Sequence, residues 1–179
     1  MLCILNKCLM KKPTQPKRSS TQLTKTVTAQ VSAAPPAKSR LPIVGVGASA
    51  GGLEALEKFF SAVSTSSSMA FVIIQHMDPT HKGMMPELLQ RTTEIKVIEA
   101  EDRTTVRPNC AYVIPPNKDI SILHGVLHLL EPKKTRGLRL PVDFFFRSLA
   151  LDQMDQSIGV ILSGMGSDGC LGLSAIKEQ

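Results

Sequence analysis

At 179 residues and 42% hydrophobic content, the chain has room for one domain with a full core. Lys and Arg outnumber Asp and Glu by 21 to 15, but residues 1–40 hold eight Lys/Arg and no Asp/Glu, which leaves 13 basic against 15 acidic residues in the remainder. A slightly negative remainder with one Tyr and no Trp lacks the electrostatic and stacking footprint of a nucleic-acid binder, so no nucleic acid is expected as a partner.

The first ten residues are apolar but are interrupted by Asn6 and Lys7, with no basic leader and no Ala-x-Ala site after them. Neither a secretory signal nor membrane insertion is expected, because a span needs roughly 20 apolar residues. Cys3, Cys8, Cys110 and Cys170 show no CxxC spacing and read as reduced thiols of a cytoplasmic protein. Residues 11–40 are rich in Thr, Ser, Lys, Gln and Pro with no apolar period. Residues 1–40 are therefore expected to be a disordered basic tail, serving as a linker or upstream extension or as an anchor for acidic partners or membrane lipids.

From Leu41 short apolar runs alternate with helical patterns, as buried parallel strands alternating with helices do. Pro42 to Gly47 reads as a strand and Leu53 to Val63 as the helix after it. Met69 to Gln75 is a second strand, Gly83 to Thr93 a helix, Lys96 to Glu99 a short strand, and Ala111 to Ile114 another. Ile120 to Leu123 and Val126 to Leu130, joined at His124 and Gly125, form an antiparallel hairpin. Pro141 to Gln153 is a helix opened by proline, and Ser157 to Leu162 is a strong strand. A helix starts at Leu171 and is expected to be cut off by the end of the sequence. The predicted fold class is α/β, an open, mostly parallel doubly wound sheet with helices on both faces and an antiparallel hairpin. Residues 41–179 form the domain.

Ligands of such sheets sit beyond the carboxyl ends of the strands. Three polar segments fall there: Gly45–Gly52, Gln75–Asp78 and Ser163–Gly169. The first admits three readings. Gly47, Ser49 and Gly51 match G-x-S-x-G, in which small neighbours allow a tight turn that presents a serine hydroxyl. Gly45, Gly47 and Ala50 match a weak dinucleotide fingerprint, which would make the protein an NAD(P)-binding oxidoreductase. Structurally, Ser49 would only cap the following helix.

His76 ends a buried strand at the same sheet edge and is placed to act as a base. His81 is a fallback, and His124 and His128, in the hairpin, are assigned no catalytic role. Asp78 lies some 28 positions after Ala50 where a dinucleotide site places its acid about 20 on, which weakens that reading. Asp168 supplies a carboxylate that can fix the imidazole tautomer and stabilise the imidazolium; its bland reading is a cap for the helix near Leu171. Gly164 and Gly166 leave the amide at Met165 able to bind an oxyanion. No Cys/His/Asp spacing resembles a metal site, and no metal or cofactor is expected.

These segments together resemble the catalytic domain of the CheB family of chemotaxis protein-glutamate methylesterases. The likeness runs from Pro42 to the end and is carried by Val44–Gly52, Gln75–Met77, Tyr112–Asn117 and Leu162–Gly169. It implies Ser49 as nucleophile, His76 as base and Asp168 as its partner, with Met165 and Ala50 in the oxyanion and substrate-binding region. It further implies hydrolysis of methyl esters on the cytoplasmic helices of chemoreceptors, with deamidation of receptor glutamines as a second activity. Arg139 to Leu149 is similar to members fused to a chemotaxis methyltransferase, which makes a methyltransferase domain an expected partner. Many members carry an N-terminal receiver domain, which a 40-residue polar tail cannot be. The family domain would continue past Gln179 with a further strand and helix. A chain ending there is expected to be less stable, with apolar surface at Ile158, Val160 and Ile161, and to be at its weakest an inactive remnant that only binds.

Overall fold

A computed structural model describes residues 41–49, 51–75, 84–132, 139–162 and 167–179. The expected tail of residues 1–40 lies outside the described residues. Five parallel strands form the main sheet: β1 (Ile43–Ala48), β2 (Ala70–Gln75), β3 (Lys96–Glu99), β5 (Cys110–Val113) and β8 (Ser157–Ile161). Their spatial order is β3-β5-β2-β1-β8. A second, antiparallel sheet joins β4 (Thr104–Thr105), β7 (Val126–Leu130) and β6 (Asp119–Leu123) in that order. The β6–β7 turn at His124 and Gly125 takes positive φ at both residues, 53° and 71°. That is the backbone of a type I′ hairpin turn, as its sequence predicts. The helices are α1 (Leu53–Ser61), α2 (Met84–Gln90), α3 (Pro141–Gln153) and α4 (Cys170–Lys177), and among the described residues none is long and apolar enough to cross a membrane.

The alternation of side chains along each strand divides the core in two. Val44, Val46 and Ala48 of β1, with Phe71 and Ile73 of β2, pack with Leu56 and Phe60 of α1 and Met85 and Leu89 of α2. Ile43 of β1, with Ala70, Val72 and Ile74 of β2, packs on the other side with Val142, Phe145, Phe146 and Leu149 of α3. The small sheet adds Ile120, Ile122 and Leu127 to this second cluster. Both faces of β1 and β2 are therefore covered, which is why these strands read as unbroken apolar runs rather than as alternating ones.

The chain leaves β1 toward β2 on one side and returns to pair β8 on the other. β1 is thus flanked by strands reached in opposite directions, the arrangement that opens a crevice at the carboxyl edge of an open α/β sheet. β8 is an edge strand. Ile158 and Ile161, both expected to be exposed, are 39% and 36% accessible, whereas Val160 is partly buried against the α1/α2 cluster. α4 runs from Cys170 to Lys177, with the Glu178 N–H donating to Ser174 O at 3.1 Å.

Candidate active site at the carboxyl edge of the sheet

Ser49 is the first residue past β1, and it is partly exposed. Its carbonyl accepts the Gly52 N–H at 2.9 Å, closing the tight turn into α1. The same carbonyl accepts Nε2 of Gln75 at 3.1 Å. Gln75 ends β2 in register with Ala48 and is 7% exposed, so a buried amide cross-braces the ends of the two strands directly at the serine. The capping reading of Ser49 fails here: α1 starts from Gly52 and makes no side-chain cap hydrogen bond. A hydroxyl that is not committed to the helix remains at the sheet edge. His76, the next residue after Gln75, lies outside the described residues, as do Ala50, Met165, Asp78 and His81.

On the other side of β1, the Leu162 N–H donates to Gly47 O at 3.0 Å, continuing the pairing of β1 with β8 to its end. The segment after β8 returns to the described residues at Ser167 and brings Asp168 to the start of α3. Oδ2 of Asp168 accepts the Val142 N–H at 3.1 Å and Oδ1 accepts the Asp143 N–H at 2.9 Å. The first turn of a helix leaves its leading N–H groups without intrahelical partners. In α3 the first residue, Pro141, has no N–H, the next two donate to Asp168, and Phe144 donates to Leu140 O at 3.0 Å. Asp168 therefore does cap a helix, but not the one near Leu171 that its sequence position suggests. α4 starts from Gly169 with no side-chain cap of that kind, and the capped helix is α3.

The capping is reciprocal. Oδ1 of Asp143, in the first turn of α3, accepts the N–H of Gly172, in the first turn of α4, at 2.6 Å. Asp143 is 4% exposed, and among the described residues its Oδ2 has no hydrogen-bond partner. The start of α3 is thus closed by Asp168, just before α4, and the start of α4 by Asp143 of α3. A carboxylate offers about four lone-pair sites, so two amides do not exhaust the capacity of Asp168 to orient an imidazole as well.

The glycines of the proposed dinucleotide fingerprint have a different use. A Cβ on Gly45 would lie 2.7 Å from Cε1 of Phe146, and one on Gly47 would lie 2.7 Å from Cγ1 of Val142. Both are glycine because α3 presses onto β1 there, on the face of the strand and not at its end. The pyrophosphate function that the motif would need from them is replaced by helix packing.

Gln75 and Asp143 are the two site residues whose roles the sequence conceals. Each carries a faint signal, a polar residue inside an otherwise apolar stretch: Gln75 closes a run of six apolar residues, and Asp143 stands between Val142 and the Phe144–Phe146 run.

The family model of CheB methylesterase matches residues 44–179. A protein-glutamate methylesterase/protein-glutamine glutaminase of Photorhabdus laumondii is 35% identical over 157 residues, covering 83% of this chain and 44% of that protein. A putative protein of the same description from Leptospira interrogans is 32% identical over 143 residues, covering 75% of this chain and 70% of its own. Among solved structures, the Thermotoga maritima CheB methylesterase catalytic domain superposes with a TM-score of 0.69 at 29% identity, covering 78% of this chain and 76% of that one. The fold is an open, mostly parallel α/β domain like that of the CheB methylesterase catalytic domain. The chain belongs to the CheB methylesterase family. It spans 41–45% of the length of several of its full-length relatives.

Proposed function

We propose that residues 41–179 form a serine esterase domain that removes methyl groups from γ-glutamyl methyl esters on the cytoplasmic helices of chemoreceptors, releasing methanol. Deamidation of receptor glutamines is a second activity of the same site. Ser49 attacks the ester carbonyl, and His76 takes the hydroxyl proton and returns it to the leaving methanol. Asp168 holds the imidazole in the required tautomer and stabilises its charged form. Amides in the Ala50 and Met165 segments bind the developing oxyanion, where one well-placed donor is worth about 2.7 to 4 kcal/mol of barrier. The acyl-enzyme is then cleaved by water. The site works in the cytoplasm, and a methyltransferase domain is its functional companion, a reading supported by the likeness of Arg139–Leu149 to members fused to one.

One observation carries this reading. The three strand ends that bear the serine, the histidine and the aspartate segments are adjacent in the order β2, β1, β8, with the serine on the middle strand. Neighbouring strands are roughly 4.8 Å apart, so a nucleophile between a base and its partner's loop is a matter of side-chain reach. The oxidoreductase reading is set aside, because Phe146 and Val142 occupy the space its glycines would keep open and the relatives are methylesterases.

The test is methanol release from methylated receptor membranes, together with covalent labelling of Ser49 by a fluorophosphonate. Ser49→Ala is expected to abolish both, a loss of up to about 10⁶-fold in turnover for removal of such a nucleophile. Saturable NAD or NADP binding in a protein that neither labels nor releases methanol would reverse the assignment.

A further inference from the structure

The mechanism above uses Asp168 but leaves unexplained how it is held. It lies between β8 and α4, two residues before α4 begins at Cys170. Its carboxylate is fixed from the far side by two N–H groups of α3. Those bonds fix Asp168 only to the extent that α4, which starts two residues later, is itself fixed to α3.

Asp143 makes that second connection. It reaches across 29 positions to the Gly172 N–H at 2.6 Å, in a buried setting. A Cβ at Gly172 would lie 2.5 Å from Cβ of Phe146 and 3.1 Å from Cα of Asp143, so the helices touch where the bond is made. The result is a closed ring. Asp143 donates its backbone N–H to Asp168, Asp168 leads in four residues to Gly172, and Gly172 donates back to the Asp143 side chain.

We propose that Asp143 is a positioning residue for Asp168: through Gly172 it sets the start of α4, and thereby the placement of the carboxylate that orients His76. The inference rests on the reading of Asp168 as the partner of His76. It predicts an effect on the chemical step with little effect on substrate binding, because a displacement of about 1 Å at an orienting group can cost as much as 10²-fold in rate.

The experiment measures kcat and KM for methanol release, and the rate of fluorophosphonate labelling of Ser49, in the full chain. Asp143→Ala is expected to lower kcat and the labelling rate at least tenfold with KM within twofold. Asp143→Asn keeps an acceptor of the same length for the Gly172 N–H and is expected to stay within threefold of the parent. In an Asp168→Asn background, Asp143→Ala is expected to add no further loss, because residues that act through one another are not additive. If Asp143→Ala does not fold, as judged by circular dichroism and cooperative melting, Asp143→Ser replaces it. The serine oxygen falls about one bond short of Gly172, so the same loss is expected.

A folded Asp143→Ala or Asp143→Ser with unchanged kcat, beside a slow Asp168→Asn, overturns this inference alone. A large loss in folded Asp143→Asn, or equal losses from Asp143→Ala in both backgrounds, also overturns it. If Asp168→Asn itself leaves labelling and turnover unchanged, the esterase reading of Asp168 falls and this inference falls with it.

Discussion

On one face of the main sheet, α1 is held by apolar contact, and α2 by apolar contact together with the Gln90 side chain, which accepts the Val97 N–H and donates to Ile95 O. Phe59, Phe60 and Phe71 meet edge to face, with Phe60 and Phe71 ring centroids 5.5 Å apart, and Leu56, Met85 and Leu89 complete the cluster. α1 has no side-chain cap. On the other face, α3 and α4 are held by apolar contact as well, but also by the slots at Gly45 and Gly47 and by the paired aspartate caps. Apolar burial is nondirectional and scales with area, so it holds a helix down without fixing its position along the strand. Hydrogen bonds and sub-ångström steric fits are directional and fix that position. α1 has no such constraint, whereas the start of α3, which receives Asp168, is fixed by them.

The sharpest way to break this contrast is to remove a large side chain from α1, which is held by apolar contact alone. Phe60→Ala should cost about 3 to 5 kcal/mol in urea unfolding, the range for a fully buried aromatic. At temperatures where the variant is folded, its rate of Ser49 labelling should match the parent. A labelling rate that fell with stability would mean that both faces set the site.

Gly45→Ala tests the directional hold on α3. The added methyl meets the Phe146 ring at 2.7 Å, an overpacking expected to cost about 1 to 3 kcal/mol. Labelling should slow at the same time, since α3 must lift from β1. Adding Phe146→Leu, which shortens the offending side chain, should recover part of both. A double-mutant cycle showing no coupling between the two positions would contradict the slot.

Tyr112 gives the smallest effect and one that depends on pH. Its hydroxyl accepts the Arg107 N–H at 3.0 Å from within the α3-facing core. Burial, the larger influence, raises its pKa above the ordinary phenol value of 10.0, and the hydrogen bond from Arg107 pulls the other way. The folded state therefore keeps this proton longer than the unfolded one. The contribution to stability is complete below about pH 10 and is lost as pH rises through the folded value. Tyr112→Phe should lose about 1 kcal/mol at neutral pH, for the unpaired amide, and should show a shallower alkaline fall in melting temperature than the parent.

Much of the fold is legible in the sequence because its information is local. Proline at the first turn and the apolar stripe of α3 mark Pro141–Gln153 to the residue, and the β-branched runs mark β2 and β8 to within one residue at each end. β4, two threonines in a polar stretch, carries no pattern and goes unread. The strand order is equally hidden: β5 inserts between β2 and β3, which no local signal predicts. At the site, Ser49 stands out because its turn is local. The work of Gly45 and Gly47 is not, since their partners lie about a hundred residues away in α3, and the same spacing imitates a nucleotide loop. Asp168 is visible as an acid after a strand, but the helix it closes begins 27 positions earlier.

β1 has a further consequence. Its end carries Ser49, and its middle carries the two slots that seat Val142 and Phe146. The first turn of α3, and with it Asp168, is therefore measured from the same six residues as Ser49, the proposed nucleophile. One strand acts as a ruler with both marks cut into it. The spacing between Ser49 and Asp168 then follows from how α3 seats on β1, whatever else lines the crevice.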